Sequence, residues 1–264
     1  MADHVVELVA ESGRYRLGAR LGTGTWCDTY RAVDARTSAP VVAQLFHQDL
    51  TADAAFRERL LGILSAVAAL RHPALVAVLD FGTMSGSRVW KVQERVAGRS
   101  LLAWTAEGRL HPDQAIEVVL ALADALTAAH HHGVVHGGPH PGVVRIAGTG
   151  AAPRPKLSDL GHAVADRAAA GPRLSGTVAF HHETWAPEVR AGGEPTVASD
   201  VFGLGALLRT VLASGGTTAP PEPAAALAAV ARRATAREPG DRFATVAAMR
   251  TALERARRTT HSRA

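Results

Sequence analysis

The stretch VVHGGPHPGVVRI, Val134 to Ile146, decides how this chain is read. An apolar pair leads into a histidine, two glycines, and two prolines that bracket a second histidine. An apolar run with β character follows. Gly and Pro in this density break regular structure, so the stretch is a turn between a helix and a strand. It contains no acid and no nucleophile. Upstream, Pro112 to His132 has helical periodicity. Downstream, GVVRIAG and RPKLSDLG form a hairpin-like pair.

Outward from that loop, the two sides of the chain differ. The N-terminal part reads as β. YRLGARLG, DTYRAVDA and APVVAQLFH are short apolar or alternating runs separated by Gly, Thr, Ser and Pro. One helix interrupts them within Thr51–Pro73, with Phe56, Leu60, Ile63, Leu64 and Val67 on one face and His72-Pro73 as its stop. ALVAVLDFGTMSGSRVWKVQERV then reads as two strands. After the polar turn AGRS, helices dominate: Ser100–Glu107, Pro112–His132, Ser199–Leu212, Pro223–Arg237 and Ala244–Arg257. The stretch Gly161–Thr196 reads as irregular. The plan is α+β: one two-lobed domain over 1–264, with a small β-rich lobe over 1–97 and a helical lobe over 98–264. The tail from about 255 is expected to fray. A cleft between the lobes is the default ligand site.

Bulk composition narrows the function. The chain has 264 residues, 47% hydrophobic and 20% charged, so it is globular. Its net charge is +5, carried almost wholly by dispersed arginines; the lysines are Lys91 and Lys156. Dispersed charge argues against a nucleic-acid face. Cys27 is the single cysteine, so neither a disulfide framework nor a cysteine zinc site exists. No apolar run is long enough to span a bilayer, and the N-terminus has no secretory pattern. The expected setting is a reducing cytoplasm. The Ala, Arg and Gly bias points to a high-GC, actinobacterial type of genome.

Eight segments, in order, resemble the eukaryotic-type protein kinase superfamily in its bacterial Ser/Thr form. LGTGTWCDTYRAVDA resembles the glycine-rich loop, and VVAQLF the V-A-I-K strand. VQERV resembles the hinge, and HGGPHPGVV lies where H-R-D-L-K-P-x-N would. LSDLGHA resembles the D-F-G segment, WAPEV the A-P-E segment, SDVFGLGALL the following helix, and EPGDRFAT the segment before the last helix. The resemblance spans Tyr15 to Leu253 and implies a two-lobed kinase-like fold with a shortened helical lobe. After LASGG the chain passes almost directly into a late helix, and VAFHHETW lengthens the peptide-positioning loop.

Carried over position by position, the resemblance implies a degenerate site. The strand lysine is Gln44, its helical Glu partner is Ile63, and Glu58 lies more than a turn away. The third loop glycine is Cys27, and the adenine-covering Val is Thr29. In the loop, Gly137 replaces Arg, Gly138 the base Asp, His140 the Lys, and Val143 the metal-binding Asn. Asp159 alone keeps a metal-ligand identity. A missing general base costs roughly 10²–10⁴ in rate, and a missing charge donor roughly 10²–10³. A single acidic residue is a poor Mg²⁺ site.

The same resemblance implies that structural positions persist. Val67 and Leu160 stack around the D-F-G segment above His136, Asp200 holds the loop backbone, and Glu188 pairs with Arg242. The expected chain is therefore a pseudokinase and not an enzyme. It needs no cofactor, and binding of ATP and Mg²⁺ is doubtful. It would be a scaffold or allosteric regulator in a bacterial signalling, envelope or biosynthetic complex. Expected partners are an active kinase, a phosphopeptide-reading domain or a biosynthetic enzyme. Two alternatives stay open: a nucleotide-sensing switch, and a weak or unorthodox nucleotide-dependent transferase. The candidate nucleotide residues are Gly22, Gly24, Cys27, Gln44, Lys91, Gln93, Glu94, Val96 and Asp159.

Several residues carry paired readings. Lys91, two residues before Gln93, either points inward with it or snorkels to solvent; the second is the default. Cys27 is a reactive thiol if its surroundings lower its pKa or an inert one; with no flanking base in sequence the second is the default. His181–Glu183 is a polar loop or, with His162 or His140, a metal site. His130–His132 sits at a helix end where cationic His suits the dipole. Ser175, Thr177 and Thr184 are candidate phosphorylation positions.

Overall fold

The computed structural model describes residues 13–84, 87–107, 112–148, 153–166, 184–214 and 222–261. The chain divides into two compact units. The first takes in the described residues up to Arg71, Val76–Arg95 and the stretch beginning at Val164. The second takes in His72–Leu75, Val96–Ala163 and the described residues from Thr184 onward. The division after Arg95 falls two residues before the expected lobe boundary.

The first unit is a five-stranded antiparallel sheet. Its strands are β1 (Tyr15–Thr23), β2 (Cys27–Asp34), β3 (Pro40–Phe46), β4 (Val78–Met84) and β5 (Arg88–Glu94), in the order β1-β2-β3-β5-β4. Two helices follow β3: α1 (Gln48–Thr51) and α2 (Ala54–Ala69). Asp53 caps α2 by accepting from the amides of Ala55 and Phe56, as a short acidic side chain does best at that position.

The sheet is apolar on both faces because its strands alternate. Val41, Ala43 and Leu45 of β3 join Tyr15, Leu17, Trp90 and Val92 on one face. Phe46 joins Cys27, Val89 and the α2 residues Phe56, Leu60 and Leu64 on the other. Arg14 and Tyr15 clamp the sheet edge. Arg14 bridges Asp34 and Asp80 at 2.9 and 3.3 Å, and the Tyr15 hydroxyl donates to Asp80 at 3.0 Å.

The second unit is mainly helical. A small antiparallel sheet orders β6 (Gly98–Ser100), β7 (Val144–Ala147) and β8 (Arg154–Leu157) side by side. The helices are α3 (Leu101–Ala106), α4 (Pro112–His131), α5 (His162–Asp166), α6 (Pro187–Arg190), α7 (Val197–Ala213), α8 (Glu222–Ala234) and α9 (Val246–His261). Within α5 the chain passes from one unit to the other. Helix α7 is central and buried along most of its length. Two glycines let neighbours approach it. A Cβ on Gly203 would meet Pro139 Cδ at 2.7 Å, and one on Gly205 would meet the Ala234 Cβ at 2.5 Å.

The structure departs from the sequence expectations at three places. The stretch Gly161–Thr196 is not irregular throughout, because α5 and α6 lie in it; each has too few residues to show a period. Strand β6 lies in the turn AGRS, and its pairing with β7 supplies the order that its composition lacks. The tail does not fray at 255. Helix α9 runs to His261, with Leu253 and Ala256 buried and Arg257 paired to Glu117.

Candidate functional site

In the first unit, one rung crosses the whole sheet. Gly22 pairs with Thr29, Thr29 with Gln44, Gln44 with Lys91, and Lys91 with Phe81. Directly opposed residues of antiparallel strands present their side chains on one face. Phe81 packs with the cluster that α2 covers, so the rung lies on the α2 side. Lys91 is only 2% exposed and Gln44 only 4%. The expectation that Lys91 snorkels to solvent is overturned: its strand is interior, with β3 and β4 on either side. Ile63 lies on the same side, part-buried against the α2 cluster, while Glu58 is exposed.

The glycine-rich turn closes on itself. The Gly24 amide donates to the Cys27 carbonyl at 2.9 Å, and the His47 amide to the Trp26 carbonyl at 2.9 Å. His47 Nε2 donates to the Gly24 carbonyl at 2.9 Å. The Gly24 amide is thus engaged inside the turn. Cys27 is buried in the α2 cluster, so its thiol is no exposed nucleophile. Gln93 is buried, and Glu94 closes a two-way link with Ala77: its amide donates to the Ala77 carbonyl, and its carboxylate accepts from the Ala77 amide. Val96 begins the second unit.

In the second unit, the loop Val134–Val143 is tied from beneath by Asp200, which is 0% exposed. Its carboxylate accepts from the amides of His136 and Gly137, each at 2.8 Å, and from His130 Nε2 at 2.8 Å. The helix-end position of His130 is only half of its role, because its ring meets Asp200, seventy residues away in sequence. His136 Nε2 donates to the Ser158 carbonyl at 3.0 Å. Burial pushes the His136 imidazole below its usual value, against the pull of Asp200 and Asp159, which favours the neutral ring. His140 caps the short turn Pro141–Val143 by accepting from the Gly142 amide.

Asp159 has φ +63°, a conformation that costs a non-glycine residue and marks candidate functional positions. Its carboxylate lies 3.9 Å from His162 Nδ1. Leu160 is buried in the second unit and Val67 in the first. Arg242 is a hub. It donates to both Glu188 oxygens at 2.6 and 2.7 Å and to the carbonyls of Ala236, Ala198 and Arg237. Burial alone would raise the Glu188 carboxyl, but Arg242 outweighs it and holds it below the usual carboxylate value.

The donor set does not fit a protein-held Mg²⁺. Val143 offers no side-chain oxygen, and among the described residues no three His, Cys, Asp or Glu side chains gather to hold a metal. His181–Glu183, Ser175 and Thr177 lie outside the described residues. Thr184 is 6% exposed, so its hydroxyl is not open to a modifying enzyme. Among the described residues, no helix is long and apolar enough to cross a membrane.

The protein kinase domain model matches residues 15–227. Serine/threonine-protein kinase PknB of Mycobacterium leprae is 32% identical over 205 residues, covering 76% of this chain and 32% of that protein. PknB of Mycobacterium tuberculosis is 34% identical over 209 residues, again 76% and 32%. A probable serine/threonine-protein kinase of Corynebacterium efficiens is 30% identical over 282 residues, covering 95% of this chain and 42% of that one. The chain spans about a third of the length of the PknB relatives it matches. The kinase domain of Mycobacterium tuberculosis PknI superimposes with a TM-score of 0.72 at 23% identity, covering 97% of this chain and 99% of that one. That likeness concerns the fold. The expectation that the chain is not an enzyme is overturned: the matched domain is the protein kinase domain, and the relatives are named as kinases.

Proposed function

The chain belongs to the protein kinase domain family, and from that membership we propose that it is a nucleotide-binding module with reassigned phosphate chemistry. It transfers phosphate slowly and regulates a protein partner in the bacterial cytoplasm. Lys91 is the observation that carries this. The resemblance puts the phosphate-facing lysine at position 44, where Gln stands. Lys91 is directly opposite on the neighbouring strand, buried on the same face. Adjacent strands are only about 5 Å apart, well within the reach of a lysine side chain. Burying an ammonium group is costly, and the negative charge of a bound phosphate offsets part of that cost. The Gln44 amide can donate beside it.

Slow transfer follows from Gly138, where no general base stands. No step in this reading uses a protein-held Mg²⁺. A module that binds nucleotide and turns over slowly acts chiefly through occupancy, which suits allosteric control of a partner.

Titration with ATP, followed by melting temperature, tests this. ATP at about 100 times its Kd should add roughly 2.7 kcal/mol of stability. Lys91→Met should weaken ATP binding by an order of magnitude or more. Adding Gln44→Lys to that variant should recover part of the loss by returning a cation to the rung. Unchanged affinity in Lys91→Met sinks the reading.

A further inference from the structure

Gly137 and Gly138 hold φ of +91° and +153°, values that side-chain-bearing residues rarely adopt. At Gly138 the surroundings add a second restriction. A Cβ built there would lie 3.0 Å from Nε1 of Trp185, 3.3 Å from its Cδ1 and 3.4 Å from its Cε2. All three atoms belong to the five-membered ring, so the indole edge lies in the space that a side chain at 138 would enter. Even alanine would force the ring to give way by a few tenths of an ångström.

Both sides of this contact are anchored. Trp185 is buried, and so are its neighbours Thr184, Ala186 and Val189. Three residues on, Glu188 is held by Arg242. On the other side, Asp200 binds the amides of His136 and Gly137, and Pro139 packs on Gly203. The indole is therefore a fixed part of the loop surroundings and not a surface side chain that happens to rest there.

We propose that Trp185 is a built-in occupant of the acceptor site of the second unit. Its indole stands where the hydroxyl of a protein substrate would meet the side chain at 138. The inference rests on the kinase-type reading above, because only that reading makes position 138 the place of the base. The site takes a flat aromatic group from the chain itself, and a Ser or Thr acceptor enters only when that group leaves. This autoinhibitory contact is separate from the nucleotide chemistry of Lys91.

The test uses the full chain, with free indole and casein as probes. Trp185→Gly should leave a cavity shaped for indole. Free indole should raise the melting temperature of Trp185→Gly by several degrees and leave the unsubstituted protein unmoved. Gly138→Ala should cost less stability when combined with Trp185→Gly than when made alone, because only the backbone strain then remains. Phosphate transfer from ATP to casein should rise severalfold in Trp185→Gly and fall again when indole is added. If Trp185→Gly does not fold, Trp185→Leu serves the same comparison of Gly138→Ala losses. Equal indole shifts in both proteins, equal Gly138→Ala losses with and without the Trp185 substitution, or unchanged transfer overturns the proposal. ATP affinity is measured on the same proteins. Its loss in Lys91→Met reports on the nucleotide reading alone, so the two failures are distinguishable.

Discussion

The two units depart from the family pattern in different ways. In the first, the position that the resemblance gives to a lysine is Gln44, while Lys91 is buried on the next strand across the same rung. In the second, no charged side chain stands at the aligned loop positions Gly137 and Gly138. The resemblance puts the base at Gly138, which carries no side chain, and the indole edge of Trp185 lies beside it. The supports beneath that loop nevertheless persist: Asp200 accepts from the amides of His136 and Gly137, His136 Nε2 reaches the Ser158 carbonyl, and Glu188 is paired with Arg242. The difference teaches that a site and its scaffold respond to separate constraints. Buried ionic supports cannot lose one partner cheaply, whereas a residue facing a ligand can be exchanged without harm to the core.

The largest test of that contrast is the hub of the second unit. Arg242→Ala leaves Glu188 and three carbonyls without their donor and should cost about 3–5 kcal/mol, read by urea denaturation. A loss below about 1 kcal/mol, the range of surface ion pairs, would erase the distinction between support and site.

The close approach of Pro139 to Gly203 comes next. Gly203→Ala forces a methyl group against the ring and should cost about 1–3 kcal/mol, with the loss appearing in melting temperature. Gly62→Ala on α2, where no neighbour lies within 4 Å, should instead be neutral or stabilising. Equal effects of the two would show that packing does not single out α7.

The edge clamp of the first unit should matter less. Tyr15→Phe removes one hydrogen bond to Asp80 and should cost about 0.5–1.5 kcal/mol.

Two pH dependences sharpen the comparison from opposite ends. Burial, aided by the bond to Asp80, pushes the Tyr15 hydroxyl up to about 12. Its contribution is whole below about pH 10, the unfolded value, and is lost as pH rises toward 12. Tyr15→Phe should flatten that alkaline slope. In the second unit, the folded carboxyl of Glu188 is depressed. Its contribution is present above the ordinary carboxylate range and is lost as pH falls through the folded value. Glu188→Gln should flatten that part of the acid slope in a series of melting temperatures. His136, also depressed by burial, acts in the same direction, since the unfolded imidazole takes up a proton first as pH falls below about 6.5.

Much of this was legible in the order of residues. The period of Phe56, Leu60, Leu64 and Val67 marks α2, and those residues are buried. The alternation of β3 and β5 marks strands with two apolar faces. The position of Lys91 on the Gln93 side also follows from alternation, but its burial does not, because burial needs β3 and β4 on either side of the strand. Strand β6, helices α5 and α6, and the bond from His130 to Asp200 leave no local periodic signal. Each has too few residues for a period or depends on a partner far along the chain.

The sequence by itself determined the family, the two-part plan and the identities at the altered positions, because those follow from local pattern and motif order. Only the tertiary structure decided that Lys91 is buried across from Gln44, that Asp200 gathers His130 with the loop, and that Trp185 fills the space beside Gly138. These are contacts between distant segments. Their energy comes from burial and from exclusion of overlapping atoms, and neither exists until the chain has folded.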